Sequence, residues 1–487
     1  MLVLAPLLVP LTTAILATLL YRHAGAQRAI SLAGGLALLA CTGLLVLEVE
    51  QAGRLSVAVG SWPPPYGIEL VADRLGALMA LVAAVLGVVT LLQQWSSADP
   101  APDSPGLHPL LHGLLAAVGA AFLTADLFNL YVWLELMLIA ALGLLVQGGE
   151  PRHLEAAFKY FALNMLGTVL LLASVALLYG ATGQLNFTAL SAAAAGPQAA
   201  ALPVYVALLT LAFLVKAAAF PLFAWLPATY HTLPAPLLAL FGGLLTKVGV
   251  YAVLRLLGEV LTGSPPVLYD ALGWVAVLTM VTGVLGAAYH WDLRRILAFH
   301  IVSQIGYLLL GIAFASAAGA AATVFFTVHN MLAKTALFLI AGIVWRLAGH
   351  YDLRRIGGLY DARPGLAVLF LLAAFALVGL PPLSGFWAKL LLLQEGFAQR
   401  EYVWVAVTLG VSLLTLYSMA KIWLEAFWKP HPAHADLGAR VSGLATAYAA
   451  AATLVALSLT LGLAPEPFIR YSEAAVAAFA RAGGPAP

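Results

Sequence analysis

Apolar residues run in blocks of about 20 along nearly the whole chain, the length a helix needs to cross a hydrocarbon core, with short polar stretches between them. About fourteen such blocks can be placed. Their centres fall near Leu11, Leu39, Ala83, Val118, Ile139, Leu170, Leu214, Leu245, Leu278, Leu308, Leu332, Ala376, Leu413 and Ala452. The longest polar interruptions are 50–73, 96–108, 346–363 and 429–440. The stretch after Leu463 is short and amphipathic, the pattern of a helix lying on a membrane surface. The pattern predicts an all-α polytopic membrane protein.

Two of the blocks are interrupted. FLVKAAAFPLFAWLP, residues 213–227, places Pro221 shortly after Lys216. FALVGLPPLSGFWAKLLLLQEGF, residues 375–397, places Pro381, Pro382 and Gly385 before Lys389. Proline has no N–H to give to a helix, and a broken helix at membrane depth survives only where it is buried in protein or lines a wet cavity. Kink and lysine together describe a hydrated site in the membrane interior. The two broken spans occupy corresponding places in two five-span blocks, the pattern of inverted-repeat transporters. The expected layout is three spans in 1–106, a first repeat in 107–258, a second in 259–428, and a last span with an amphipathic tail in 429–487.

Composition agrees with this picture. Hydrophobic residues make up 63% of the 487 and charged ones 9%, far below the charge of a soluble domain. The net charge of +2 and the lack of a basic tract give no reason to expect nucleic acid. Cys41 is the sole cysteine, which excludes an internal disulfide and a cysteine-rich metal site. No Gly-rich phosphate loop or redox-cofactor motif is present, so neither cofactor nor metal is expected. The N-terminus has no basic region and no small-residue cleavage site, and it reads as a retained first helix. Loops after odd-numbered spans hold roughly eleven basic residues against six on the other side, which places odd loops in the cytoplasm and both termini outside.

The remaining basic residues are all lysines in or at the edge of spans: Lys159, Lys216, Lys247, Lys334, Lys389 and Lys421. A buried lysine can lose its proton at ordinary pH, whereas arginine stays charged. Lys159 and Lys421 lie near span ends, where snorkelling to the headgroups is expected. Lys216, Lys247 and Lys334 fall near mid-span, where a charge is costly and usually functional. In ADLFNLYVWLE, Asp126 belongs to the turn before the fifth span, and Glu135 lies about three turns further in. A carboxylate there needs a cation, and a mid-membrane lysine is the natural one.

With these residues in view, the chain resembles the antiporter-like family shared by respiratory complex I, membrane-bound hydrogenases and Mrp cation/proton antiporters. The resemblance rests on ADLFNLYVWLE, FKYFALNMLGTVLLLASVALLYGATGQLN, WDLRRILAFHIVSQIGY, HNMLAKTALFL and GLPPLSGFWAKLLLL, and is closest to the D-type component of Mrp antiporters. It implies a mid-membrane proton axis through Glu135, its partner Lys216, Lys247, His329, Lys334 and Lys389. It also implies hetero-oligomeric assembly with other membrane subunits and no metal or redox centre in this chain. His300 departs from the family, where a small hydroxyl residue is more usual; its expected role is a local hydrogen bond, and His231 is read the same way. Five residues separate His329 from Lys334, about 140° on a regular helix, so a π-bulge is expected to bring them toward one face.

Two functions remain open. One is the proton-translocating subunit of a Na⁺/H⁺, or other monovalent cation/proton, antiporter in the cell membrane. The other is a proton-pumping subunit of a redox complex, an NADH–quinone oxidoreductase or membrane-bound hydrogenase. A scaffold with a vestigial axis is disfavoured by the retained charges. No catalytic redox site is expected in this chain, whose role would be that of a secondary transporter or part of a translocase.

Overall fold

The structure, a computed structural model, describes residues 1–96, 104–194, 202–261, 264–431 and 443–483, without the side chains of 478–483. Arg440 and the side chain of Arg481, both counted in the orientation argument, lie outside the described residues.

Helices account for nearly all of it. The N-terminal part holds α1 (Ala5–Leu19), α2 (Ala24–Ala52), α3 (Arg74–Ser96), α4 (Leu107–Leu123), α5 (Leu127–Val146) and α6 (Pro151–Thr182). The middle holds α7 (Phe187–Ala194), α8 (Leu202–Ala217), α9 (Trp225–Thr229), α10 (Ala235–Arg255), α11 (Pro266–Tyr289), α12 (Leu293–Ala313) and α13 (Ala317–Ala348). The rest comprises α14 (Leu359–Ala362), α15 (Pro364–Val378), α16 (Ser384–Ala398), α17 (Tyr402–Ile422), α18 (Leu444–Leu463) and α19 (Glu466–Gly483). Between α2 and α3 a small antiparallel hairpin pairs β1 (Arg54–Ala58) with β2 (Glu69–Asp73), the one regular departure from an all-helical chain among the described residues. Among the described residues eleven helices are long and apolar enough to cross a membrane, and α4, α8 and α15 are shorter apolar helices. The protein is a multi-pass membrane protein.

Helices α10 and α13 form the centre. Every residue of the apolar window in Ala235–Val260 is buried, whereas α2 buries little of its surface and faces outward. Such all-round burial marks a helix enclosed by protein rather than lipid.

Both interrupted spans break where the sequence carries proline. Helix α8 stops at Ala217; Ala218 takes φ +60°, and the Phe220 N–H, left without a helical partner, donates to Thr279 Oγ1 at 2.9 Å. Helix α15 stops at Val378, and Gly379 adopts φ +91°, a conformation an L side chain rarely takes. Gly385 then lets α16 start against the end of α15, because a Cβ there would lie 1.8 Å from Ala376 O.

One expectation fails. Helix α13 is α-helical without interruption from Ala317 to Ala348, and there is no π-bulge between His329 and Lys334. Its neighbours include α3, α10, α12, α15, α16 and α18, so each azimuth already faces protein and the two residues can serve different partners. π-Helical turns occur instead at Leu256–Val260 and Trp423–Trp428, where α10 and α17 end.

Loops alternate between two faces. Ser104, Arg152, Thr232, Asp292 and His350 come from five different odd-numbered loops, and all line one cavity of about 760 Å³. On the opposite face lie the hairpin, the 3₁₀ turn Leu2–Leu4 packed against it, and α19, whose Tyr471 hydroxyl donates to Arg74 O at 3.1 Å. Both ends of the described chain therefore share a face. The tail helix also buries Ala475 and Val476, so part of its apolar stripe is spent on protein.

Two backbone crossings repeat. Asp126 bridges Asn186, and Asp292 bridges Asp352, each pair 60 positions apart and on opposite faces of the molecule. In both, the aspartate also caps a helix: Asp126 accepts from Asn129 N at 2.7 Å, and Asp292 from Arg294 N at 2.9 Å.

Candidate functional site

The cap at Asp126 fixes the start of α5 and so places Glu135 roughly 13 Å along the helix axis. Thr168 projects from α6, and Lys216 from the last turn of α8. These three side chains meet. Lys216 Nζ donates to Thr168 Oγ1 at 2.8 Å, and Thr168 donates to Glu135 Oε1 at 2.5 Å. The direct Lys216–Glu135 separation is 3.4 Å, long for an N–H···O bond, so the threonine hydroxyl carries the contact. The lysine side chain is 1% exposed and the glutamate 18%, so the pair sits at the rim of the protein with its base inside. Gly249 lets α10 close on the end of α8; a Cβ there would lie 2.6 Å from Ala217 N.

The second lysine beside a break is held differently. Lys389 Nζ donates to Val378 O at 2.6 Å and to Ser412 Oγ at 3.0 Å, and lies 5.0 Å from the Tyr307 ring centroid. Val378 is the last residue of α15, so its carbonyl is one that a continuing helix would have used. At the other break Val215 O, two residues before the end of α8, accepts from Trp225 Nε1 at 3.1 Å and from Ala218 N at 3.1 Å.

Between these ends lie Lys247, His329 and Lys334, all fully buried. Lys247 Nζ donates to Gly242 O at 2.7 Å, and His329 Nδ1 contacts Ser384 Oγ at 2.8 Å. Lys334 Nζ, His329 Nε2 and both amide atoms of Asn330 and Gln304 are buried without a protein hydrogen-bond partner. Buried polar groups are normally satisfied, and such a concentration marks positions for ordered water. Together these side chains supply donors and acceptors across the membrane interior.

The lysines at span ends divide. Lys159 is exposed and pairs with Glu155, whereas Lys421 lies along protein with its ammonium at the loop end of α11, donating to Ala288 O at 2.8 Å and His290 O at 2.6 Å. His300 contacts Ser418 Oγ at 2.9 Å. His231 Nε2 meets Arg295 Nη2 at 3.1 Å and must accept there, so its Nδ1–H donates to Pro227 O at 3.1 Å. Burial, and then the Arg295 charge, lower the His231 imidazole to about 4.

The chain matches the family model "NADH:quinone oxidoreductase/Mrp antiporter, TM" over residues 124–415, which spans α5 to α17 and every candidate residue. It belongs to that family. Among its relatives, the D-type Na(+)/H(+) antiporter subunit of Alkalihalophilus pseudofirmus is 38% identical, covering 97% of this chain and 95% of the relative. The Bacillus subtilis protein of the same name is 36% identical over 97% and 96%. A chain of the Mrp complex from Dietzia sp. superposes with a TM-score of 0.88 at 31% identity, covering 98% of this chain and 97% of that one. A chain of Thermus thermophilus respiratory complex I superposes at 0.84 with 26% identity over the full length of both.

Several side chains that meet these residues were not evident from the sequence. Thr168, Ser384, Ser412 and Tyr307 carry no charge, and hydroxyls are common in membrane helices. A further ion cluster joins Arg255 to Asp73 at 2.5 Å and to Glu259 at 2.6 Å. Burial raises the Asp73 carboxyl, but the Arg255 charge and hydrogen bond outweigh it and hold it below the usual range. Only the Arg255–Glu259 spacing of four residues hinted at it.

Proposed function

We propose that this chain is the proton-translocating subunit of a multisubunit monovalent cation/proton antiporter, exchanging protons for Na⁺ or another monovalent cation. The observation that carries this reading is the Glu135–Thr168–Lys216 relay at a broken helix, in a chain similar over nearly its whole length to D-type Na(+)/H(+) antiporter subunits. Protons move along Glu135, Lys216, Lys247, Lys334, His329 and Lys389 as charges pair and separate. Opposite charges within about 4–6 Å hold each other ionised, and separating Lys216 from Glu135 lets the lysine release its proton. The unpartnered polar atoms of α13 hold the water that links the fixed groups.

The chain works in the cell membrane beside other integral subunits, with the cavity-bearing face in the cytoplasm and both termini outside. The basic-residue balance supports that orientation. The layout proposed is three helices in 1–106, inverted repeats in 107–258 and 259–428, and a last helix and tail in 429–487. The two capped crossings, equal in spacing and opposite in face, support the repeats.

The test is cation-driven proton movement in vesicles containing the complex, with assembly checked on the same samples. An assembled Glu135→Ala complex that exchanged at the wild-type rate would sink the proposal.

A further inference from the structure

A second polar line leaves the Lys389 end of the axis, starting at the Ser412 and Tyr307 contacts of that lysine and continuing through groups that the axis does not use. Helix α12 carries His300, Gln304 and Tyr307 at i, i+4 and i+7, which is one helix face. Helix α17 carries Ser412, Thr415 and Ser418 three apart, again one face, while Leu409, Leu413 and Tyr417 point outward. The two faces meet in antiparallel register. His300 Nε2 contacts Ser418 Oγ at 2.9 Å at one end, and the Tyr307 hydroxyl contacts Ser412 Oγ at 2.9 Å at the other. Between these two contacts, Gln304 lies on α12 and Thr415 on α17, whose hydroxyl donates to Val411 O at 2.8 Å.

The seam is dry of charge but rich in donors and acceptors. His300, Gln304, Thr415 and Ser418 are completely buried. Both amide atoms of Gln304 and Nδ1 of His300 have no protein partner. A glutamine kept only for packing would not leave both ends unsatisfied, since each unmet buried polar group is costly. One end of the seam touches the axis directly, through Lys389 Nζ on Ser412 Oγ at 3.0 Å. The other end reaches Lys421, three residues past Ser418, whose ammonium is tied to His290 O beside the Asp292 cap on the cavity-bearing face. From Ser412 to Lys421 the rise is roughly 14 Å.

We propose that this α12–α17 seam is a second proton-conducting branch, joining Lys389 to the membrane face at His290–Asp292 through Ser412, Thr415, Gln304, Ser418 and His300. It rests on the reading of this chain as a proton carrier. Each hydroxyl takes a proton from one side and releases its own to the other; the imidazole takes one at one nitrogen and gives one up at the other. Neighbouring hydroxyls three residues apart stand about 5–6 Å apart at Cβ, a gap one water spans at each step.

The experiment compares exchange in vesicles by assembled complexes carrying Gln304→Leu with Thr415→Val, Thr415→Ser, Ser418→Ala, and Lys389→Ala. The double variant is expected to lose at least about tenfold in rate, equivalent to about 1.4 kcal/mol on the barrier. Thr415→Ser, which keeps the hydroxyl, is expected to run near the wild-type rate. A larger solvent deuterium effect in the slowed variants would also support a broken relay, which a packing defect would not produce. Should the double variant fail to assemble, Ser418→Ala decides: a several-fold loss supports the branch, and a wild-type rate overturns it. Inactive Lys389→Ala beside a fully active double variant overturns the branch while leaving the main axis intact. Active Lys389→Ala overturns the proton-carrying reading of this end of the chain and the branch with it.

Discussion

The two breaks hold their lysines by opposite means. Lys216 stands before its break and meets a carboxylate through a threonine, while Lys389 stands after its break and meets a freed carbonyl, a serine and an aromatic face. Matching the capped crossings sharpens the contrast. Thr168 lies eighteen positions before Asn186, and the residue eighteen before Asp352 is Lys334. Nine positions after Asp126 comes Glu135, and nine after Asp292 comes the apolar Ile301, next to His300. The first block therefore contains an ion pair whose energy depends on its separation. The second contains bases surrounded by dipoles, which stabilise a charge without fixing where its counter-charge is. Coupling to a distant event suits the first arrangement; storing and passing a proton suits the second.

The strongest challenge to this contrast is removal of the ion pair. Glu135→Ala and Lys216→Ala are each expected to abolish exchange in assembled complexes, because each leaves its partner as an uncompensated charge at membrane depth. Lys216→Arg and Lys389→Arg come next, and both are expected to be inactive in the vesicle assay. Arginine keeps its proton even after a large downward shift. If Lys216→Arg worked and Lys389→Arg did not, Lys216 would be a fixed counter-charge and only the second block would pass protons through its lysine.

A smaller effect is expected at the threonine between the charges. Thr168→Val removes the bridging hydroxyl and is expected to slow exchange about tenfold, while Thr168→Ser restores it. An unchanged rate in the valine variant would mean that Glu135 and Lys216 communicate directly. The two caps allow a comparison of stability without chemistry. Asp126→Ala and Asp292→Ala are each expected to cost about 1 kcal/mol, seen as a lower Tm in detergent, with the asparagine variants near wild type.

The smallest effect concerns His231, which ties the segment after the first break to Arg295 of the second block. Its folded pKa of about 4 lies below the ordinary value of 6.5, so the fold prefers the neutral ring. Its contribution is present above about pH 6.5 and fades as pH falls toward 4. His231→Gln, which keeps a donor and an acceptor, is expected to remove that part of the acid sensitivity in a thermal-unfolding series.

Much of this was legible in the chain itself. Apolar block length determined the crossings, because hydrocarbon thickness sets helix length and leaves no other way to satisfy a backbone in lipid. Pro221 and Pro382 marked both breaks, since a missing N–H is a local property. Lysine and glutamate at membrane depth marked the charged side chains, since burying them is costly wherever they sit. Which groups meet was not local. Thr168 joins Lys216 to Glu135 only because α5, α6 and α8 converge, and His300 meets Ser418 only because α12 and α17 run antiparallel in one register. The failed π-bulge has the same origin. A rotation rule applied to α13 alone asked His329 and Lys334 to share a face, but a helix enclosed by protein has partners on every side. Hydrophobic pattern and backbone chemistry act along the chain, whereas hydrogen-bond partnership between side chains depends on distance in space, and only packing decides that.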